Sequence, residues 1–333
     1  MNQEMIQKDT GTIDIIVPCY NEAENIDAFY DAVQQVAESV PEYDFSYIFV
    51  DDGSTDETLS MIREIADAAV EDVTTVRYIS FSRNFGKEAA MYAGLKASAE
   101  SNGGQGADYA VVIDADLQHP PELIRDMIRK IEETGCDSCA ARRVTRKGEP
   151  RIRSFFARSF YRLMNRFCDI EIIDGAVDFR MMSRQMVRAV VSMPESQRFS
   201  KGIFAWVGFH TEWIEFENRN RHSGESKWNM WSLTKYAIAG FLDFAEAPLK
   251  ATGLLGGLVS AAAVIYLIVE LLKTILVGKD LPGYESLVCL LLVFGGLIVA
   301  ILSVIGEYIG RMYLETKGRP IYIEKESNID RRN

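Results

Sequence analysis

Short apolar runs alternate with amphipathic stretches along the first part of the chain, and this alternation restricts the fold more than any other feature. The runs predict buried strands at Ile13–Val17, Tyr47–Val50, Val76–Phe81 and Ala110–Ile113. The stretches between them have helical periodicity at Ala23–Val40, Thr55–Ala69 and Lys87–Ser98. Strand–helix alternation predicts an α/β domain with a mostly parallel sheet and helices on both faces.

A polar cluster follows each of the four apolar runs directly. The clusters are Pro18–Glu22, Asp51–Ser54, Ser82–Lys87 and Asp114–Gln118. Each alone has an alternative as a turn or helix cap, where Ser, Asp and Asn are favoured. In open α/β sheets, however, ligands bind beyond the carboxyl ends of the strands, so the four clusters together predict a binding site. The dinucleotide-binding and P-loop glycine fingerprints are absent, which disfavours an NAD-dependent oxidoreductase or a P-loop ATPase.

Two pairs of acids lie in these clusters. Asp114 and Asp116 are one residue apart, and on a continuing strand both would face the same side. Two close carboxylates repel, and a hard divalent cation prefers oxygen ligands and can bridge them to a diphosphate; the alternative is two solvated loop acids. Of the other pair, one of Asp51 and Asp52 can accept hydrogen bonds from a base or ribose while the other caps the following helix. No histidine has zinc-ligand spacing, which disfavours a zinc enzyme.

The formal net charge is −12, which makes bulk attraction to nucleic acid improbable. Against this overall sign, the segment from Arg142 to Arg158 is strongly basic and is expected to bind an anion or face a membrane; a solvated charged face is the alternative. The loop Arg221–Trp228 combines Ser, Gly and Lys in a way that suits a diphosphate clamp, the alternative being an ordinary surface loop.

Two long apolar runs, Ala251–Val269 and Leu287–Ile305, occupy the later part of the chain. Each is long enough to cross a hydrocarbon core of about 30 Å, and the short linker between them predicts a hairpin; two buried helices of a soluble protein are the alternative. Basic residues before the first run and after the second place the N-terminal domain and both termini in the cytoplasm. Aromatic residues in Trp228–Ala247 predict an interfacial helix, with a core helix as the alternative.

The predicted organisation therefore has four parts. These are a cytoplasmic catalytic domain over residues 1–226, an interfacial amphipathic region over 227–250, a transmembrane hairpin over 251–306 with spans at about 251–272 and 286–306, and a cytoplasmic tail over 307–333.

Several motifs together resemble the family 2 glycosyltransferases. They are Pro18-Cys19-Tyr20-Asn21-Glu22, Val50-Asp51-Asp52-Gly53-Ser54 and Asp114-Ala115-Asp116-Leu117-Gln118-His119-Pro120-Pro121-Glu122. The polyprenyl-phosphate (bactoprenol) branch, which is related to dolichol-phosphate mannose synthase, is indicated by Phe81-Ser82-Arg83-Asn84-Phe85-Gly86-Lys87, Asp178-Phe179-Arg180, Gln197-Arg198-Phe199 and Gly224-Glu225-Ser226-Lys227-Trp228. The resemblance covers nearly the whole chain and implies a GT-A (Rossmann-like) catalytic domain followed by a two-helix transmembrane hairpin.

The resemblance also implies roles for particular residues. The nucleotide-sugar set is Pro18, Tyr20, Glu22, Asp51, Asp52, Lys87, Asp114, Arg198, Arg221, Ser226 and Lys227. Asp114, Asp116 and Gln118 would bind Mg²⁺ or Mn²⁺ at the donor diphosphate, and Asp116 and Asp178 are the candidate catalytic residues. The acceptor phosphate would be engaged by Arg143 with Arg151 or Arg153.

The implied reaction is the inverting transfer of one hexose from a UDP-sugar to undecaprenyl phosphate at the cytoplasmic face of the cell membrane, for cell-envelope glycosylation. Glucose is the first choice of sugar and N-acetylglucosamine the second, and the family suggests a homo-oligomer, specifically a tetramer. One alternative is a processive polysaccharide synthase, disfavoured because Gln197-Arg198-Phe199 is not the Gln-x-x-Arg-Trp motif. Another is a non-catalytic membrane protein that binds nucleotide sugar, disfavoured by the intact Asp114 and Asp116.

Overall fold

The computed structural model describes residues 10–69, 74–144, 162, 164–168, 170–217, 247–277 and 283–329. The strands are β1 Gly11–Cys19, β2 Tyr43–Asp51, β3 Thr75–Phe81, β4 Tyr109–Val112, β5 Ser138–Arg143, β6 Ala176–Ser183, β7 Thr211–Phe216 and β8 Glu324–Ser327. The helices are α1 Ala23–Glu38, α2 Thr58–Ala69, α3 Lys87–Ala99, α4 Leu123–Thr134, α5 Arg184–Val191, α6 Ser200–Trp206, α7 Ala247–Val277 and α8 Tyr284–Thr316, with a further short turn at Ser101–Gly104. The four predicted strands and three predicted helices of the first part are confirmed, with their ends shifted by a few residues.

The strands form one sheet in the order β7-β5-β6-β4-β1-β2-β3-β8. Strands β4, β1, β2 and β3 are mutually parallel, as the alternation predicted. Strand β6 is antiparallel to both β4 and β5, and β8 is antiparallel to β3. Because β6 runs backwards, its first residues lie at the carboxyl end of β4: Arg180 pairs with Val112, and Asp178 lies two residues further out. The sheet is therefore mixed at both of its flanks.

Both faces of the sheet are covered, which explains the nearly continuous apolar sequence of the central strands. In β1, Ile13, Ile15 and Val17 belong to the core layer beneath α1, α2 and α4, whereas Ile16 belongs to the opposite layer beneath α3 and α5. Helix α3 packs so closely on β1 that a Cβ at Gly94 would clash with Ile16 Cγ2. This close packing holds α3 against the sheet at Gly94.

Helices α7 and α8 are candidate membrane spans by length and composition, over Ala247–Tyr266 and Val293–Thr316. Neither candidate span is buried inside the protein, which argues against the alternative of two core helices. The two helices approach each other where a Cβ at Gly256 would contact Ile301. Helix α8 has 33 residues, so at about 1.5 Å per residue it is about 50 Å long and exceeds a hydrocarbon core of about 30 Å.

The chain beyond α8 returns to the sheet. Ile321, Tyr322 and Ile329 pack on the core layer beneath α3, and β8 extends the sheet beyond β3. The sequence predicted only a cytoplasmic tail here, because the residues of β8 are Glu-Lys-Glu-Ser and show no apolar alternation. Of the predicted interfacial region, only the first residues of α7, from Ala247 to Lys250, fall within the described residues.

Candidate active site

The loop after β1 is held by the loop after β2. The amide of Asn21 donates to Ser54 Oγ at 2.9 Å, and Asn21 Oδ1 accepts from the amide of Thr55 at 2.8 Å. The amide of Glu22 donates to Thr58 Oγ1 at 2.8 Å. Asn21 has φ of 52°, a left-handed conformation that Asn tolerates better than most residues. The segment that contains Pro18, Tyr20 and Glu22 therefore has a defined shape at the edge of the sheet.

Asp51 and Asp52 at the end of β2 are both buried, at 1% and 3% exposed. Asp51 accepts hydrogen bonds from the amide of Ser54 at 2.9 Å and from Ser80 Oγ at 2.7 Å. Asp52 accepts from the amides of Phe85 at 2.6 Å and Gly86 at 2.9 Å. Burial raises the pKa of Asp52 to about 6, although these backbone hydrogen bonds lower it.

The expectation that Asp51 or Asp52 caps the following helix, α2, is wrong. The amide of Thr58, at the start of α2, donates to Asp56 at 3.1 Å instead. Asp52 reaches the loop before α3 because the chain turns back at Gly53, which has φ of 66°, and a Cβ there would clash with the backbone of Arg83. The loop after β2 and the loop before α3 are therefore held together.

Lys87, the first residue of α3, pairs with Asp114 in the turn after β4 and with Asp178 on β6. Its Nζ lies 2.7 Å from Asp114 Oδ1 and 2.8 Å from Asp178 Oδ2. Burial lowers the pKa of Lys87, but the two carboxylates outweigh this and raise it above its ordinary value. Burial raises the pKa of Asp178, but Lys87 and Lys201 outweigh it and hold that pKa below its usual range. Lys87 and Asp178 are therefore both charged at neutral pH.

The turn after β4 places Asp116, Gln118 and His119. The strand ends at Val112, so the condition considered from the sequence, that both acids lie on a continuing strand, is not met. Leu117 has φ of 55°. Asp116 is 7% exposed and accepts from the amide of Gln118 at 3.1 Å.

His119 was given no individual role by the sequence, although it lies in the same motif. Its ring packs on Phe179 and Phe216, and Nδ1 lies 4.0 Å from Asp114 Oδ2. Burial lowers its pKa, so the imidazole is neutral at pH 7. Within the described part of the chain this Nδ1 has no hydrogen-bond partner.

The implied divalent metal fits this donor set. Asp114, Asp116 and Gln118 offer oxygen ligands, which Mg²⁺ and Mn²⁺ prefer. Among the described residues no group of three or more His, Cys, Asp or Glu side chains could enclose a metal. Mg²⁺ does not need such a cage, because one or two carboxylates commonly hold it together with substrate phosphates and water. The ammonium group of Lys87 lies 2.7 Å from Asp114 Oδ1, so one of the three proposed ligands already pairs with a cation.

The family of the chain follows from sequence comparison. The profile described as "Glycosyl transferase family 2" matches residues 14–191, more than half of the chain. The chain belongs to glycosyl transferase family 2. The expectations of a polyprenyl-phosphate glycosyltransferase and of a GT-A fold with two C-terminal apolar helices are confirmed.

Curated relatives resemble this glycosyltransferase over almost its full length. "Putative glycosyltransferase CsbB" of Bacillus subtilis is 40% identical, with 96% of this chain and 93% of that protein covered. "Prophage bactoprenol glucosyl transferase homolog" of Escherichia coli is 39% identical, with 94% and 98% covered. Among solved structures, glucosyl-3-phosphoglycerate synthase from Mycobacterium tuberculosis aligns with a TM-score of 0.43 at 20% identity over 69% of this chain and 76% of that one, which is too distant to carry an argument.

Of the remaining predicted site residues of the glycosyltransferase, only Arg143 and Arg198 fall within the described part of the chain. Arg143 ends β5, where its amide donates to the carbonyl of Gly175 at 2.9 Å. Arg198 is 8% exposed, with its guanidinium 4.5 Å from the ring centroid of Tyr92 and donating to the carbonyl of Met193. Burial lowers the pKa of Arg198. The other predicted cations lie outside the described residues; they are Arg151, Arg153, Arg221 and Lys227, together with Ser226.

Proposed function

We propose that this glycosyltransferase transfers a single hexose from a UDP-sugar to a polyprenyl phosphate at the membrane surface. The observation that carries the proposal is the charged cluster of Lys87, Asp114 and Asp178 at the strand ends of a family 2 domain joined to two candidate membrane spans. The choice of acceptor is supported by several relatives, 37–39% identical over at least 94% of this chain, whose names describe bactoprenol glucosyl transferases. Glucose is accordingly the first choice of sugar, and N-acetylglucosamine the second.

In the proposed reaction, an oxygen of the lipid phosphate attacks the anomeric carbon and forms the new bond. The bond from that carbon to the diphosphate breaks, its electron pair leaves with UDP, and the configuration inverts. A phosphomonoester has a second pKa of about 6, so the nucleophile is already largely ionised near neutrality. The protein must therefore bring two anions together and orient them, whereas a strong general base is not required.

The residues of this chain suit that task. Asp178 has a depressed pKa and is paired with Lys87, which makes it a poor base and suits it to holding Lys87 in position. A divalent ion held by Asp114, Asp116 and Gln118 would neutralise the departing diphosphate. We place Arg143, with Arg151 or Arg153, at the acceptor phosphate, and Arg221, Ser226 and Lys227 over the donor diphosphate.

The same proposal covers location and assembly. We place the catalytic domain and both termini on the cytoplasmic side. Basic residues are concentrated before the first span and after the second, and such residues favour the cytoplasmic side of a membrane. A homo-oligomer, specifically a tetramer, is part of the proposal; size measurement of the detergent-solubilised protein tests it.

The proposal is tested with purified full-length protein, undecaprenyl phosphate and a panel of nucleotide sugars, with and without EDTA. We expect lipid carrying one sugar, detected by mass spectrometry, and loss of product when EDTA is present. Asp116→Ala is expected to lower the rate by about 100-fold or more, because it removes a group that helps stabilise the leaving charge. The matched control is Asp126→Ala on α4, an exposed acid paired with Arg129, which should retain normal activity.

Other outcomes would point elsewhere. A product that carries many sugars would favour a processive synthase. Binding of UDP-sugar without any turnover would favour a non-catalytic protein. Undiminished product with EDTA or with Asp116→Ala would refute the metal assignment.

A further inference from the structure

The chain after α8 lies directly against the loop that carries Lys87. We call residues 317–329 the C-terminal segment and residues 82–86 the β3–α3 loop. The amide of Ser82, the first residue of this loop, donates to the carbonyl of Ile323 at 2.9 Å. The ring of Tyr322 stacks on Phe81, with centroids 4.7 Å apart and an interplanar angle of 19°. One side of the β3–α3 loop is thus built by residues from the far end of the sequence.

The same loop is held on its other side by the end of β2. Asp52 accepts hydrogen bonds from the amides of Phe85 and Gly86. The ring of Phe85 contacts Phe81 edge-on, with centroids 5.8 Å apart, and the guanidinium of Arg83 lies 4.0 Å from the Phe85 centroid. Phe81 is 1% exposed, so it transmits the position of Tyr322 to Phe85 through packed side chains.

The loop ends one residue before Lys87. Gly86 has φ of 101°, a conformation that sets the direction of the chain as α3 begins. Lys87 follows immediately and reaches Asp114 and Asp178. A shift of the β3–α3 loop therefore moves the ammonium group relative to both acids.

The end of α8, which leads into the C-terminal segment, is held by Ser196. Glu315, in the last turn of that helix, accepts hydrogen bonds from the amide of Ser196 at 2.8 Å and from its hydroxyl at 2.7 Å. Only a few residues separate Glu315 from Tyr322, and the turn between them passes through Gly318 with φ of 57°. The second long helix and the β3–α3 loop are therefore connected by a short stretch of chain that ends in the packed ring of Tyr322.

We propose that Tyr322 is a positioning residue, which acts through Phe81 and the β3–α3 loop to hold Lys87 at the donor site, so that this site is complete only when the C-terminal segment is on the sheet. This rests on the proposed function in assigning Lys87 to the donor side. It predicts that the segment controls use of the nucleotide sugar rather than of the lipid.

The test compares three variants of the full-length protein in detergent. Tyr322→Ala removes the stacking ring, and Tyr322→Phe keeps it. Glu326→Ala is the matched control, because Glu326 lies in the same segment but pairs with Arg63, away from the loop. The first readout is hydrogen exchange in a peptide over residues 82–88. Because the stacked aromatic pair is lost, exchange should become up to about tenfold faster in Tyr322→Ala. The other two variants should match the unaltered protein.

The second readout separates donor from acceptor. Tyr322→Ala is expected to raise KM for the nucleotide sugar several-fold and to leave KM for the lipid phosphate unchanged, while Tyr322→Phe behaves as the unaltered protein. Unchanged exchange over 82–88 in Tyr322→Ala overturns the proposal, as does exchange that rises equally in β1 and β4, since Tyr322 would then be an ordinary core residue. Hydrogen exchange requires no sugar transfer, so a protein that makes no glycolipid but shows the local effect refutes the proposed function alone.

Discussion

Replacing Lys87 by methionine tests the charged cluster at the strand ends. Methionine keeps most of the apolar stem and removes the charge. The Lys87 ammonium lies 2.7 Å from Asp114 and 2.8 Å from Asp178, and the side chains are 32%, 27% and 20% exposed, respectively. Without the ammonium group, Asp114 and Asp178 lose the cation with which both of them pair.

The expected loss of stability follows from this exposure. Fully exposed ion pairs contribute about 0–1 kcal/mol, whereas leaving one partner of a buried pair uncompensated costs about 3–5 kcal/mol. The three side chains are between one-fifth and one-third exposed, so their pairing lies between these two limits. Lys87→Met should therefore lower the free energy of unfolding by about 1–3 kcal/mol at pH 7. Because Lys87 depresses the pKa of Asp178, the stability from this ionised acid is present at pH 7 and is lost as pH falls below the ordinary carboxyl range. The penalty of Lys87→Met should therefore shrink in acid.

The assay is unfolding of the full-length protein in detergent, combined with glycolipid formation. Lys96→Met is the matched control, since Lys96 lies on the same helix in an exposed pair with Glu100 at 3.9 Å; it should cost less than about 0.5 kcal/mol. Lys87→Met combined with Asp178→Asn should recover part of the stability lost in Lys87→Met alone, because the two groups are in contact. Glycolipid formation should fall by about 100-fold or more in Lys87→Met. The reasoning would be refuted if Lys87→Met had the same free energy of unfolding as the unaltered protein at pH 7, and if the effects of Lys87→Met and Asp178→Asn on that free energy simply added in the double variant.

Two further predictions concern the frame around the site. Burial raises the pKa of Asp52 from 3.8 to about 6, so the free energy of unfolding should fall as pH rises from about 4 to about 6; Asp52→Asn should remove up to about 3 kcal/mol of that pH dependence, seen in melting temperatures recorded from pH 4 to 7. Gly94→Ala should destabilise the protein by about 1–3 kcal/mol, because the added carbon would clash with Ile16 between α3 and β1. Gly295→Ala, where nothing lies within 4 Å of the added carbon, is its control, and equal melting temperatures for the two variants would contradict the packing argument.

The sequence predicted the first half of the sheet well for a physical reason. Strands β1 to β4 are covered on both faces, so burial alone makes them apolar and visible as short runs. The polar clusters after them were predicted to meet at one edge, and the structure brings Lys87 and Asp114 together there. Nothing in periodicity could show that β6 enters the sheet backwards, which is what brings Asp178 to the same place from far along the chain.

Other features escaped the sequence because their causes are not local. Asp51 and Asp52 had the right residue types for ligand contacts or a helix cap, yet their partners within the protein are Ser80 and the β3–α3 loop. Strand β8 is polar, and its place comes from the unpaired edge of β3, which no pattern within residues 324–327 reveals. The role of Tyr322 depends on contacts across most of the chain length and was equally out of reach.

The position of β8 after both long apolar helices has a consequence for biosynthesis. A ribosome makes β1 to β7 first, then both long apolar helices, and only then the strand that completes the sheet beside β3. Until β8 emerges, β3 has an open edge of the kind that invites pairing with other chains. The edge of β3 is therefore covered only after synthesis of both hydrophobic helices, so a nascent chain that stalls between these helices has not yet acquired β8.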